Sequence, residues 1–262
     1  MDPVTLATAD GLDLFDMLGR ILWTALRIGA AIQVLPMLGA RGVPARSRLV
    51  FTIALAAAMS ALLPAPPQAG VNAWTALAVL REFSVGIAIG LMLRLAFEAG
   101  QLAGELASQG MGLSFATLAD PSGGGSTTVL AQWFYLAFGL IFFAVDGHLA
   151  LVQLLFDSYA AMPIGTPFRD LPEFLSAIPM FFAAAMKAGL LLALPVMMAL
   201  LSVNVAVGVL SRAAQQLNPI SLGFPVAMLL GMGLLMLLAR ELQGPVQRLF
   251  GDAFQAARAL TG

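Results

Sequence analysis

The chain has 262 residues, of which 60% are hydrophobic and 10% charged, and its mean hydropathy is +0.92. Soluble globular chains are closer to half apolar and a quarter charged, so this composition excludes an ordinary water-soluble domain and predicts surroundings of lipid or of equally apolar subunits. With no cysteine, one histidine and a net charge of −1, disulfides, thiolate or multi-histidine metal sites and a basic nucleic-acid surface are excluded as well.

Six apolar blocks follow one another along the chain, at roughly residues 12–38, 49–64, 73–97, 129–156, 174–210 and 220–240. A membrane-spanning helix needs about 20 apolar residues, and most blocks are close to that length. We therefore predict an all-α, integral-membrane-type protein of about six apolar helical segments, several of them broken. We treat 1–262 as a single domain, with N-terminal helices in 1–173 and C-terminal helical hairpins in 174–262.

The first block carries charges along one helical face. Arg20 and Arg27 lie two turns apart, and Asp16 lies one turn before Arg20. A charge inside a membrane is costly and usually faces protein or water. The simpler alternative is that such a side chain lies near a helix end and reaches the membrane surface.

The third block and the residues after it also contain charges. Arg81 and Glu82 lie inside the block, and Arg94 and Glu98 follow with the spacing of neighbours on a helix. We expect Arg81, Glu82, Arg94 and Glu98 to make polar contacts within the chain or with a neighbouring subunit.

Small residues recur along the same region. Gly86 and Gly90, and then Gly100 and Gly104, are spaced as in the G-x-x-x-G pattern that lets two helix backbones approach closely. This spacing predicts helices that pack tightly against other helices, either of this chain or of another subunit.

Residues 110–126, GMGLSFATLADPSGGGS, connect the third and fourth blocks. A connection here would ordinarily be short and charged. Instead the segment is nearly uncharged, rich in Gly and Ser, and carries the apolar side chains Met111, Leu113, Phe115 and Leu118.

The fifth block is too long for one membrane span. Its 174–210 stretch would reach roughly 50 Å at 1.5 Å per residue, against a bilayer core of about 30 Å. We expect it to break at Pro195 or to extend beyond the bilayer. After it, Asn218 and Pro219 are typical of a helix start, with Asn218 as the N-cap and Pro219 at the first helical position.

Parts of the sequence also suggest two other functions. GLSFA at 112–116 is similar to half of a serine-protease signature, with Ser114 as nucleophile and His148 as base, but Ala116 stands where a glycine is needed. A stand-alone transporter or channel would need a cluster of polar groups at broken helices, and the sequence offers none. We expect no catalytic activity, no cofactor and no metal.

Seven stretches carry a family resemblance: RGVPARSRL (41–49), GLSFATLADP (112–121), VLAQ (129–132), GHLALVQLLFDSY (147–159), MPIG (162–165), LALPV (192–196) and VGVLSRAAQQLNPISLGFP (207–225). Together they resemble the flagellar biosynthetic protein FliR family, the flagellar branch of the type III secretion export-gate proteins. The set covers nearly the whole chain in the family's order. The virulence-type branch shares the architecture, and GLSFA followed by DP favours the flagellar branch.

The resemblance implies a non-enzymatic subunit of the flagellar export gate. Such a subunit assembles with several copies of FliP and FliQ into a helical funnel, which FlhB also binds and through which unfolded flagellar proteins pass. It lies among lipids of the bacterial inner membrane, in the flagellar basal body, with part of the assembly projecting toward the periplasm. No nucleic acid is involved. This placement would account for the overlong fifth block and the buried charges.

The resemblance also implies a role for the 110–126 segment. In the family this loop lies in the lumen as a plug, and the matching positions here are Gly110, Met111, Gly112, Leu113, Ser114, Phe115 and Leu118. Apolar side chains would seal the channel against ions, while Met and small residues would repack around a passing chain. The alternative is a buried connector packed on the protein's own helices. Arg212 and Asn218 are expected to fix the start of the last hairpin.

Overall fold

The computed structural model describes residues 14–37, 43–63, 73–113, 127–168, 170–213 and 219–261. Within these ranges all regular secondary structure is helical, which confirms the all-α prediction. The helices are α1 (Leu14–Val34), α2 (Ala45–Ser60), α3 (Ala73–Gly110), α4 (Val129–Ala144), α5 (Gly147–Ala161), α6 (Leu171–Ala213), α7 (Pro219–Glu241) and α8 (Gln243–Thr261).

Among the residues that the structure describes, three stretches are long and apolar enough to cross a membrane: Ala73–Gly110, Leu171–Arg212 and Gly223–Glu241. The adjoining helices α4 and α5 add a fourth if the two count as one broken span. The prediction of an integral-membrane-type protein is confirmed by these helices.

The fifth block does not break at Pro195, so that part of the prediction is wrong. α6 continues through this proline over 43 residues. A proline removes one backbone hydrogen bond, and an apolar helix can accommodate the loss by small local adjustments. At 1.5 Å per residue α6 is about 64 Å long, so it extends well past a single bilayer core.

The fourth block, expected as one apolar segment, is interrupted instead. α4 ends at Ala144, and the N–H of Val145 donates to the carbonyl oxygen of Ile141 at 3.0 Å. Asp146 then adopts a left-handed backbone with φ of 56°, which a residue with a short polar side chain tolerates better than most. α5 begins directly afterwards at Gly147.

The chain forms two compact units. The first comprises Met1–Arg94, Leu149–Pro179 and Phe254–Gly262, and the second comprises Leu95–His148 and Met180–Ala253. Each unit is assembled from stretches that are distant in sequence. The division at residue 173 concerns continuous stretches and stays a prediction.

In the first unit, glycines bring α1 and α3 into backbone contact. A Cβ atom at Gly86 would overlap the carbonyl oxygen of Arg27, and one at Gly90 would lie 2.6 Å from the carbonyl oxygen of Ala31. Real Cβ atoms do not come this close to backbone, so any side chain at these positions would push the helices apart. The G-x-x-x-G spacing in α3 is thus used within the chain.

In the second unit, the later glycines of α3 face α4. A Cβ atom at Gly104 would lie 2.6 Å from the Cα atom of Ala131. Beside this contact, the rings of Phe97 and Phe142 pack on Phe250 of α8, with centroid distances of 5.1 and 5.0 Å. The Phe97–Phe250 pair is edge-to-face and the Phe142–Phe250 pair is tilted, and rings at these separations bury large apolar areas.

Candidate functional site

The first unit contains a fully buried polar cluster around Arg27. Its Nε donates to Oε2 of Glu82 at 2.8 Å, and both side chains are completely buried. Nη1 donates to the carbonyl oxygen and the hydroxyl of Ser158 at 2.8 and 3.0 Å, and Nη2 donates to the carbonyl oxygen of Met162 at 2.8 Å. All three nitrogens of the guanidinium are therefore hydrogen-bonded.

Tyr159 completes this cluster from α5. The guanidinium carbon of Arg27 lies 4.1 Å from the centre of the Tyr159 ring, and the Tyr159 hydroxyl donates to the carbonyl oxygen of Thr24 at 2.8 Å. A buried ion is tolerated only when an opposite charge and further hydrogen bonds replace water. The cluster meets this requirement and ties α1, α3 and α5 together.

The next residue, Arg81, is buried but only partly satisfied. It is 5% exposed, and its Nη1 donates to the carbonyl oxygen of Pro163 at 3.1 Å. Its guanidinium carbon lies 5.4 Å from the centre of the Phe168 ring. In the described part of the chain, its Nε and Nη2 have no hydrogen-bond partner, and neither has Oε1 of Glu82.

The other predicted polar residues lie on α3, on α6 and outside the described ranges. Arg94 is exposed and Glu98 is half-buried on α3, and Arg212 is exposed in the last turn of α6, where a cation suits the negative end of the helix. Asn218 lies outside the described residues. α7 begins at Pro219, the position that the sequence favoured for a helix start. The roles expected for Arg94, Glu98, Arg212 and Asn218 stay predictions.

The start of the predicted plug is anchored inside the second unit. Met111 is 1% exposed, and a Cβ atom at Gly231 of α7 would lie 2.6 Å from its Cγ atom. The Met111 side chain thus occupies the notch that the missing side chain of Gly231 leaves. Gly110 packs on α6 in the same way, where an added Cβ atom would lie 2.9 Å from Leu200.

α3 ends in a defined C-terminal turn. Gly112 has a left-handed φ of 75°, and its N–H donates to the carbonyl oxygen of Gln109 at 3.0 Å. The N–H of Leu113 donates to the carbonyl oxygen of Ser108 at 3.0 Å. These two bonds around a glycine are the Schellman arrangement, so Gly112 serves to end the helix.

The far end of the same segment is fixed at the start of α4. The Thr128 hydroxyl donates to Oε2 of Glu105 on α3 at 2.9 Å and accepts from the N–H of Ala131 at 3.3 Å. Thr128 is therefore both the N-cap of α4 and a bridge to α3. Ser114, Phe115 and Leu118 lie outside the described residues.

Sequence reasoning missed the partners of Arg27. Ser158, Tyr159 and Met162 lie in the GHLALVQLLFDSY and MPIG stretches, but nothing in their local pattern indicates a contact with the first helix. An arginine fully inside an apolar block was the one signal that such partners had to exist.

The described residues offer little support for a serine protease or for a metal site. Ser114 of the serine-protease hypothesis lies outside the described residues. His148 lies at the start of α5, and the centre of its ring is 5.4 Å from that of Phe143. Over the ranges that the structure describes, no group of three or more His, Asp and Glu side chains could hold a metal ion.

Large apolar side chains remain exposed along α6 and α7. Met198 and Val205 are 57% and 60% exposed on α6, and Leu229 and Met236 are 77% and 68% exposed on α7. In each helix only 17% of the most apolar window is buried within the chain. Surfaces of this extent require lipid or another protein to cover them.

Comparisons with known proteins agree on one family. The sequence profile of bacterial export proteins, family 1, matches residues 18–253. The chain is 33% identical to the flagellar biosynthetic protein FliR of Escherichia coli (strain K12) over 90% of each chain, and 31% identical to that of Pectobacterium carotovorum subsp. carotovorum over 94% of each. It is 27% identical to FliR of Bacillus subtilis (strain 168), over 81% of this chain and 83% of that one. The chain therefore belongs to family 1 of the bacterial export proteins, the family of the FliR proteins.

Proposed function

We propose that the chain is a non-enzymatic membrane subunit of the flagellar type III protein export gate and forms part of the channel for unfolded flagellar proteins. The observation that carries this proposal is similarity along nearly the whole chain to proteins named flagellar biosynthetic protein FliR. The similarity runs over both compact units, so it concerns the entire architecture.

We propose further that the subunit assembles with several copies of FliP and FliQ, and with FlhB, in the bacterial inner membrane. The exposed apolar faces of α6 and α7 support this assembly, because they are long enough to pack against neighbouring helical subunits. The length of α6, about 64 Å, supports a projection of the assembly toward the periplasm.

Intact-complex mass measurement tests the assembly. A tagged chain expressed with its partners and purified in mild detergent should run as one large complex containing two smaller helical membrane proteins in several copies. The same chain should restore swimming to cells that lack their own export-gate subunit. A monomer or homodimer with the partners present would overturn the proposal and favour a stand-alone transporter.

The 110–126 segment is proposed as the plug of this channel. Two contacts support the assignment, because Met111 on Gly231 and Thr128 on Glu105 hold the segment at both ends. In this arrangement Met111 acts as an anchor, and the sealing side chains are Leu113, Phe115 and Leu118.

Ion leakage through an assembled gate tests the plug. The double variant Leu113→Gly/Phe115→Gly should raise the conductance of gate-containing membranes to small ions, because two large apolar groups are removed from the seal. Ser114→Ala is the matched control and should leave both conductance and swimming unchanged. Unchanged conductance in the double variant would contradict the plug, and loss of function in Ser114→Ala would favour a nucleophilic serine.

A further inference from the structure

Two buried donors of the Arg81 guanidinium lack a hydrogen-bond partner among the described residues. The side chain is 5% exposed, yet its Nε and Nη2 have no hydrogen-bond partner among the residues that the structure describes. These two nitrogens form the side-on edge of the planar group, which pairs with two oxygens of a carboxylate or a phosphate. A buried charge with two unpaired donors is costly, so the geometry points to an oxyanion at this edge.

A cavity of about 470 Å³ adjoins this arginine in the first unit. Its walls include Arg81, the aromatic Phe174 and two acidic residues, Asp170 and Glu173. This volume lies in the range of sites for small ligands. The two carboxylates would repel a ligand that is only anionic, and they favour a ligand that carries a positive group beside its anion.

A second cavity of about 680 Å³ also borders Arg81 and is mainly apolar. It is lined by Trp74, Leu77 and Leu80 from the start of α3, and these side chains are 42%, 67% and 63% exposed. Phe168 lines both cavities, as Arg81 does. The arginine thus borders a site with charges of both signs and a groove suited to a hydrocarbon chain.

We propose that Arg81 binds the phosphate of an amine-bearing phospholipid of the phosphatidylethanolamine class. The phosphate would accept from Nε and Nη2, the ammonium would lie near Asp170 and Glu173, and an acyl chain would follow Trp74, Leu77 and Leu80. A carboxylate from a neighbouring subunit would satisfy Arg81 but would be repelled by the acidic wall. The inference rests on the membrane location in the proposed function, but it does not rest on a role in export.

Native mass spectrometry of the delipidated full-length chain in detergent tests this site. The chain is titrated with phosphatidylethanolamine, with phosphatidylglycerol, which lacks the amine, and with inorganic phosphate. We expect one tightly bound phosphatidylethanolamine, whose affinity falls at least tenfold in Arg81→Gln. Arg81→Lys keeps the charge but loses the bidentate edge, so it should show a smaller loss. Arg46→Gln, which changes an exposed arginine of α2, is the matched control and should bind as the parent does.

A second variant tests the acidic wall. Asp170→Asn/Glu173→Gln removes both negative charges, and asparagine still caps α6 as well as aspartate does. We expect this variant to bind phosphatidylethanolamine more weakly than the parent does. Its binding of phosphatidylglycerol should be unchanged or tighter. Equal binding of the two lipids by the parent chain would overturn the role of the wall.

Three outcomes would overturn the proposal. One is equal lipid affinity in the parent chain and Arg81→Gln. Another is binding of inorganic phosphate without lipid binding, which would make the site one for a free anion. A third is that the parent chain binds no lipid and that Arg81→Gln recovers fewer partner subunits than the parent does. This result would assign Nε and Nη2 of Arg81 to a carboxylate of a neighbouring protein. Lipid binding that persists in a chain unable to restore swimming would contradict the export function and leave this site intact.

Discussion

Arg27 on α1 and Glu82 on α3 are 55 residues apart in the chain, and their side chains meet at 2.8 Å with neither exposed. Two ions removed from water lose hydration worth several kcal/mol each, and their attraction repays this only with good geometry and further hydrogen bonds. Here Ser158 and Met162 supply those bonds. The pair therefore fixes which faces of α1, α3 and α5 meet.

Glu82→Gln should be strongly destabilising, by about 3–5 kcal/mol, because it leaves Arg27 buried without an opposite charge. The measurement is the free energy of unfolding in detergent, obtained by titration with denaturant. Arg20→Gln is the control, since Arg20 pairs with Asp16 at 2.8 Å on an exposed surface, where the effect should stay within about 1 kcal/mol.

The apolar double variant Arg27→Met/Glu82→Met separates charge from packing. It should lose less stability than Glu82→Gln alone, because no uncompensated ion remains. A larger loss in the double variant would mean that the hydrogen bonds to Ser158 and Met162 contribute more than the charge balance does.

Gly86→Ala should destabilise the first unit by about 1–3 kcal/mol, the usual cost of overpacking. The added Cβ atom would overlap the carbonyl oxygen of Arg27, and backbone cannot move aside without separating the helices. Gly19→Ala is the matched control on α1, where nothing lies within 4 Å, and it should gain about 0.5–1 kcal/mol from helix propensity. Thermal unfolding of both variants in the same detergent checks this, because stability should fall in Gly86→Ala and rise in Gly19→Ala.

Met111→Ala should cost about 2–5 kcal/mol, because it empties the notch above Gly231. Gly231→Ala should also destabilise, since its Cβ atom would overlap the Met111 side chain. The double variant should lose less than the sum, with a coupling of about 0.5–3 kcal/mol, because the new methyl group partly fills the space left by methionine. A double-mutant cycle on unfolding measures this coupling, and strict additivity would show that the two side chains do not share one space.

Thr128→Val should destabilise the start of α4 by about 0.5–2 kcal/mol, because the N-cap and the bond to Glu105 are both lost. Thr128→Ser keeps the hydroxyl and should behave as the parent does. Amide hydrogen exchange over the first turn of α4 gives the readout. Equal exchange in the parent and in Thr128→Val would show that the cap is not what holds this turn.

Local pattern was a good guide to the individual elements. Apolar blocks and G-x-x-x-G spacing predicted apolar helices in close contact, and the contacts of Gly86 and Gly104 use that spacing. Single residues at helix ends were harder, because α6 continues through Pro195 while the fourth block stops at Asp146. Both outcomes depend on whether surrounding groups accept a lost or redirected backbone hydrogen bond.

The sequence by itself determined the apolar character of the surroundings, the all-helical class and the family, because hydropathy, helical spacing and a set of ordered motifs are properties of consecutive residues. Only the tertiary structure decided what the charges do. Arg27 is satisfied by groups 55 to 135 residues away, whereas Arg81, on the same helix as Glu82, keeps two buried donors without a partner in the described part of the chain. The energy of a buried ion depends on the few atoms around it, and the fold brings those atoms from distant parts of the chain.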